Sequence, residues 1–175
     1  MEHSFSTQLV RVDSDLYHYV FYVPLEVAES LKSRDISRLV CTVNKQLSFH
    51  CALLSDGKGG TVISLNKARI KKLGLVREQI FEVKLIEDKT EYGMPISDEL
   101  REVLYQDDAA SEIFHGLTKG KQRTLIYWSD NVKSSDIKIR RALVLCNHLV
   151  ESQGEIDFKQ LGRDIKEANN RAKLA

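Results

Sequence analysis

Apolar residues recur mostly at every second position from Phe5 to about Asp88, and at a helical spacing from Pro95 onward. Two periods in one chain predict a strand-rich half followed by a helical half. "FSTQLVRV" and "LYHYVFYV" read as strands, rich in aromatic and β-branched residues. Pro24 stops the second, and "PLEVAESLKS" reads as a short helix with proline in its first turn, where no N–H donor is needed. In "RLVCTVNKQLSFHCALL", Leu39, Cys41 and Val43 alternate before the turn Asn44-Lys45-Gln46, and Leu47, Phe49, Cys51 and Leu53 alternate after it. Both apolar sets share a face if the loop has three residues, a register that sets Cys41 opposite Phe49 and Cys51 opposite Leu39. The two thiols are then diagonal neighbours in a core. A redox or metal pair is the competing reading, with no further ligand nearby in sequence.

The turn "SDGKGG" leads into a strand at "TVISL", a two-turn helix at "NKARIKKL" capped by Asn66 and stopped by Gly74, and a last strand at "QIFEVKLIED". In that strand Phe81, Val83 and Leu85 alternate with Ile80, Glu82, Lys84 and Ile86. Strand-dominated runs with two short helices predict a small β-barrel rather than a βαβ sheet. Beyond "DKTEYGMP", the helices are "SDELREVLYQD", with Ser97 as its cap, "DAASEIFHGL", "GKQRTLIYWSDNVK", "SDIKIRRALVLCNHLVESQ" and a polar "DFKQLGRDIKEANNRAKLA". In the fourth of these, Ile139, Leu143, Cys146 and Val150, with Ala142 and Leu149, are expected to form the buried face; Lys138, Arg141 and His148 fall elsewhere. The expected protein is therefore α+β: a β-barrel domain over residues 1–90 and a helical region over residues 95–175.

Composition fits a folded protein, with 42% hydrophobic and 29% charged residues. Lys and Arg number 26 against 25 Asp and Glu, a balance that argues against a surface built throughout for nucleic acid. The first residues carry a Glu and no apolar run, so no secretory leader is expected. No stretch of about 18 apolar residues suggests membrane insertion. Three cysteines without CxxC spacing suit a reducing, cytoplasmic setting.

Charge is segregated in the helical half. Residues 95–118 hold six acidic side chains against Arg101 alone, and residues 119–141 hold seven basic ones against Asp130 and Asp136. Helices of opposite sign that complement each other account for this. The sharper reading is an anion or partner site at "NVKSSDIKIRR". There Lys133 ends one helix, Ser134 or Ser135 opens the next, and Lys138, Arg140 and Arg141 follow within two turns. Trp128, with Leu125 and Val132 at helical spacing, is expected to pack in the core. No GxSxG, HExxH, P-loop or calcium-loop pattern occurs, so no catalytic residue, metal site or cofactor is predicted. "DGKGG" is explained by a tight turn, and His3, His18, His50, His115 and His148 read as structural or solvated.

"TVISLNKARIKKLGLVREQIFEVKLIED" resembles the swapped-hairpin unit of AbrB- and MazE-type regulators through Arg69 and Leu73-Gly74. It departs from that unit at Leu65, where proline is usual, and at Glu78-Gln79, which replace a Gly-Asp turn. A wider resemblance spans roughly residues 5–150. Phe5, "YVPLEVAESL", "RLVCTVN", "FHCALL", "DGKGG", "LNKARIKKLGL" and "FEVKL" look like a bacterial domain of unknown function with a barrel of the double-split type. "MPISDELREVL", "AASEIFHGL" and "QRTLIYWSDNVKSSDIKIRRA" are similar to the helical region of YdeI-like, OmpD-associated proteins, also called bacteriocin-protection proteins. Tyr127-Trp128, Lys133 and Arg140-Arg141 match that family's most recognisable run, while residues 134–138 depart from it. The resemblance implies an association with envelope stress or antimicrobial-peptide tolerance, and no catalytic residue. The expected function is a non-enzymatic cytoplasmic binding protein whose partner is an anionic small molecule or a protein. The alternative is a regulator that sets Lys67, Arg69, Lys71 and Lys72 against DNA.

Overall fold

A computed structural model describes residues 2–12 and 19–174. The chain divides into two compact units, Met1–Gly93 and Met94–Ala175.

The first unit contains β1 (Glu2–Gln8), β2 (Val10–Arg11), β3 (Tyr19–Tyr22), α1 (Leu25–Lys32), β4 (Arg38–Val43), β5 (Leu47–Ala52), β6 (Leu54–Ser55), β7 (Thr61–Ser64), α2 (Lys67–Leu73) and β8 (Ile80–Glu87). Every expected strand and helix of this half is present, although β1 begins at Glu2 rather than Phe5 and so takes in His3. The start of the expected "LYHYVFYV" strand, with His18, lies outside the described residues. The strands form two antiparallel sheets, β1-β8-β4-β5 and β2-β3-β7-β6, in the half where a small β-barrel is expected. The outer strands nevertheless pass from one sheet to the other. β1 continues into β2 through Leu9, and β5 continues into β6 through Leu53. Bends of this kind form the corners where two sheets cross.

The β4–β5 register is the expected one, with Cys41 opposite Phe49 and Leu39 opposite Cys51. Asn44 and Lys45 carry the loop in left-handed conformations (φ 50° and 56°). Asn44 extends the β8 ladder, its N–H donating to the Glu82 carbonyl and its Oδ1 accepting from the Glu82 N–H, both at 2.9 Å. Alternation then decides burial: in β8, Phe81, Val83 and Leu85 face inward and the residues between them face out. Phe21 of β3 meets Phe81 of β8 edge-to-face, ring centroids 5.6 Å apart, so one aromatic contact ties the two sheets together. In "SDGKGG" Asp56 Oδ1 accepts from the N–H groups of Lys58 and Gly60, each at 2.8 Å, which is a turn closed on itself.

The second unit is helical: α3 (Asp98–Gln106), α4 (Asp108–Gly116), α5 (Lys119–Asp130), α6 (Ser135–Glu151) and α7 (Phe158–Leu174). Helix α6 is its axis, touched by each of the other four. Its buried face corrects the sequence expectation. Ala142, Leu145, Cys146 and Leu149 are buried, with His148 beside them, whereas Ile139, Leu143 and Val150 are exposed. Neighbouring helix positions lie 100° apart, so a slip of one residue still catches Ala142, Cys146 and Leu149 while misplacing the rest. His148 is a structural residue, its Nε2 accepting from the Asp157 N–H at the start of α7. Trp128 is half-buried rather than central, packed against Phe158 at 5.7 Å and over Gly162 of α7.

Candidate functional site

The expected anion site lies where α3 and α6 begin and α5 ends. Ser97 caps α3, its Oγ accepting from the Leu100 N–H at 3.2 Å. The same residue donates to both carboxylate oxygens of Asp130, from N–H to Oδ2 and from Oγ to Oδ1, each at 2.7 Å. Asp130 closes α5 and is thereby fixed against the positive end of α3. One position into α3, Glu99 reaches the start of α6. The Ser135 hydroxyl bonds its carboxylate, and Lys138 Nζ approaches Glu99 Oε2 at 3.6 Å. The Ser135 bond, with help from Lys138, holds the Glu99 carboxyl below its ordinary value. Glu99 thus supplies a carboxylate of the protein's own to Ser135 and Lys138.

The other predicted residues are dispersed. Ser134 is the N-cap of α6, exposed and without a side-chain capping bond, and Lys133 is exposed beside it. Arg140 Nη1 donates to Asn169 Oδ1 of α7 at 3.0 Å. Arg141 turns the other way and donates from Nη1 to the Trp128 carbonyl, also at 3.0 Å, covering the negative end of α5. Sequence reasoning placed Ser97 as a helix cap but missed its pairing with Asp130 and the reach of Glu99 to α6. The signal for them was present in the segregation of acidic and basic helices, whose complementarity is what the fold uses.

The alternative face on α2 is also divided. Lys67, Lys71 and Lys72 are exposed, but the Arg69 guanidinium lies over the Phe49 ring, 4.1 Å from its centroid. A further polar cluster joins His50 and Asp88, Nδ1 to Oδ2 at 2.6 Å, with Thr90 donating from N–H and Oγ1 to Asp88 Oδ1. Burial pushes the Asp88 carboxyl up, and the bonds from Thr90 and His50 outweigh it, leaving it below its ordinary value. A cavity of about 580 Å³ opens over β1, β8 and β4, lined by Ser4, Ser6, Thr42, Glu82 and Lys84; Lys84 there pairs with Glu2 at 2.6 Å. Among the described residues, no three His, Cys, Asp or Glu side chains converge as metal ligands, and no helix is long and apolar enough to cross a membrane.

Residues 5–85 match the model of a domain of unknown function, DUF1905, and that match runs through the α2 segment. Residues 94–151, which include the start of α6 and all its partners from α3 and α5, match the family described as bacteriocin-protection, YdeI or OmpD-associated. No curated protein matches the chain. The two matches together are consistent with a YdeI-like protein, in which a region similar to the bacteriocin-protection, YdeI or OmpD-associated family follows an N-terminal domain of unknown function.

Proposed function

We propose that this chain is a non-enzymatic binding protein of the cytoplasm that supports tolerance of bacteriocins or related antimicrobial peptides, and that it meets a protein or peptide partner through its helical unit. The condition of α6 carries this reading. Its polar start is satisfied by Glu99 from within the unit, while Ile139, Leu143 and Val150 stand 40%, 50% and 39% exposed. At 100° per residue these three side chains fall within about 40° of one another, an aliphatic stripe on one side of the helix. Such a stripe suits an apolar partner surface better than a small anion. A DNA-binding role through α2 has less support, because Arg69 is engaged with Phe49 and three exposed lysines remain. The outer strands shared between the two sheets favour reading the first unit as a small barrel of the double-split type.

The test is survival. A bacterial strain lacking this gene is expected to die at lower bacteriocin doses than its parent, with wild-type protein restoring tolerance. Leu143→Glu, which adds a charge at an exposed position, is expected to fold and fail to restore it. Equal tolerance of parent and deletion strain would refute the reading.

A further inference from the structure

We infer that Cys41 and Cys51 form an oxidisable pair, in which Cys51 reacts with a hydroperoxide and Cys41 then closes a disulfide between β4 and β5. The strand register places the two thiols on the same inward face as diagonal neighbours. Their surroundings differ. Cys41 is on β4, inside its sheet, and is fully enclosed. Cys51 is on β5, the outer strand, and retains 8% exposure. An oxidant entering at the sheet edge meets Cys51 first.

The chemistry of the cluster assigns the same roles. The contact between the two sulfurs raises the Cys41 thiol and lowers that of Cys51. Burial opposes a thiolate, while Arg38 and Arg69 favour one at Cys51. Arg69 is held in place by the Phe49 ring, and Phe49 is the cross-strand partner of Cys41. This gives a physical role to the one basic residue of α2 that turns away from solvent.

In the first step the Cys51 thiolate attacks the outer peroxide oxygen. The O–O bond breaks, the leaving oxygen takes a proton to become an alcohol (or water, from hydrogen peroxide), and Cys51 becomes a sulfenic acid. In the second, the Cys41 sulfur attacks the Cys51 sulfur, the S–O bond breaks, and hydroxide leaves with the Cys41 proton as water. Two thiols and one hydroperoxide yield one disulfide, one alcohol and one water. Diagonal positions in an antiparallel ladder stand about 7–8 Å apart, beyond the Cα separation of about 4.4–6.8 Å that a disulfide usually spans, so closure requires backbone movement. Closure therefore shifts the end of β5 along β4 and strains the ladder, and the strained bond is readily returned to thiols by a dithiol reductant.

The test treats the full-length chain with hydrogen peroxide and then alkylates it after unfolding. Cys146 is the internal control, its thiol pushed up to about 12 by burial and by Asp107. The expected result is loss of two of the three free thiols, a mass lower by two hydrogen atoms, a mapped Cys41–Cys51 link, and full recovery with dithiothreitol. Cys41→Ser is expected to accumulate a sulfenic acid at Cys51 that dimedone traps, and Cys51→Ser to show neither product. The wild-type mapping decides the matter even if a serine variant folds poorly. Retention of all three thiols, oxidation of Cys146 as fast as Cys51, or disulfides found only between molecules would overturn the inference.

Discussion

Leu143 and Leu145 are two residues apart on α6, and simple periodicity selects the wrong one as core. Leu145 is 1% exposed and Leu143 is 50% exposed. Truncating a fully buried leucine to alanine removes its transfer free energy and leaves a cavity, so Leu145→Ala is expected to cost about 3 kcal/mol. Leu143→Ala loses at most half of the transfer contribution, opens no enclosed cavity and gains slightly in helix propensity, so about 1 kcal/mol or less is expected. With a urea dependence of about 1.5 kcal/mol per molar, the midpoint should fall by about 2 M for Leu145→Ala and by well under 1 M for Leu143→Ala. Trp128 is the sole tryptophan and packs against Phe158 within the same unit, so its fluorescence reports this transition. Equal midpoint losses, or a larger one for Leu143→Ala, would refute the assigned rotation of α6.

Two further outcomes follow from the polar contacts. The Asp88 carboxyl is held below its ordinary value of 3.8, so its contribution is complete above the unfolded value and is lost as pH falls through the folded one. The first unit should therefore lose stability below about pH 4, and Asp88→Asn should flatten that loss when urea midpoints are followed by circular dichroism; an unchanged pH profile would remove Asp88 from the account. Arg141→Ala should lower the Trp128-detected urea midpoint by about 1 M, from the lost bond to the Trp128 carbonyl, while added inorganic phosphate leaves the wild-type midpoint unchanged apart from the general effect shown by sulfate. A specific rise with phosphate would restore the anion site at α6.

The local signals in this sequence were strong wherever the chain talks to itself over a few residues. The three-residue loop at Asn44-Lys45-Gln46 follows from the even spacing of apolar positions, and the structure has that register. The Asn66 cap and the Gly74 stop of α2 are both present, the first as a 2.8 Å bond from the Arg69 N–H and the second in a left-handed conformation at φ 62°. The candidate site was less legible. Lys138 and Arg141 were visible as cations near a helix start, but their partners, Glu99 and the Trp128 carbonyl, come from other helices.

What the sequence determined by itself, then, was the order and type of elements, the strand faces and the caps, because each depends on spacing within one segment. Tertiary structure decided which side of α6 is buried, since a helix with apolar residues over much of its circumference is oriented by the four helices packed around it. Long-range placement also set Glu99 on Ser135 and Lys138 and turned Arg69 onto Phe49. Charges and hydrogen-bond donors act through a few ångströms of space, and only the fold brings distant residues within that range.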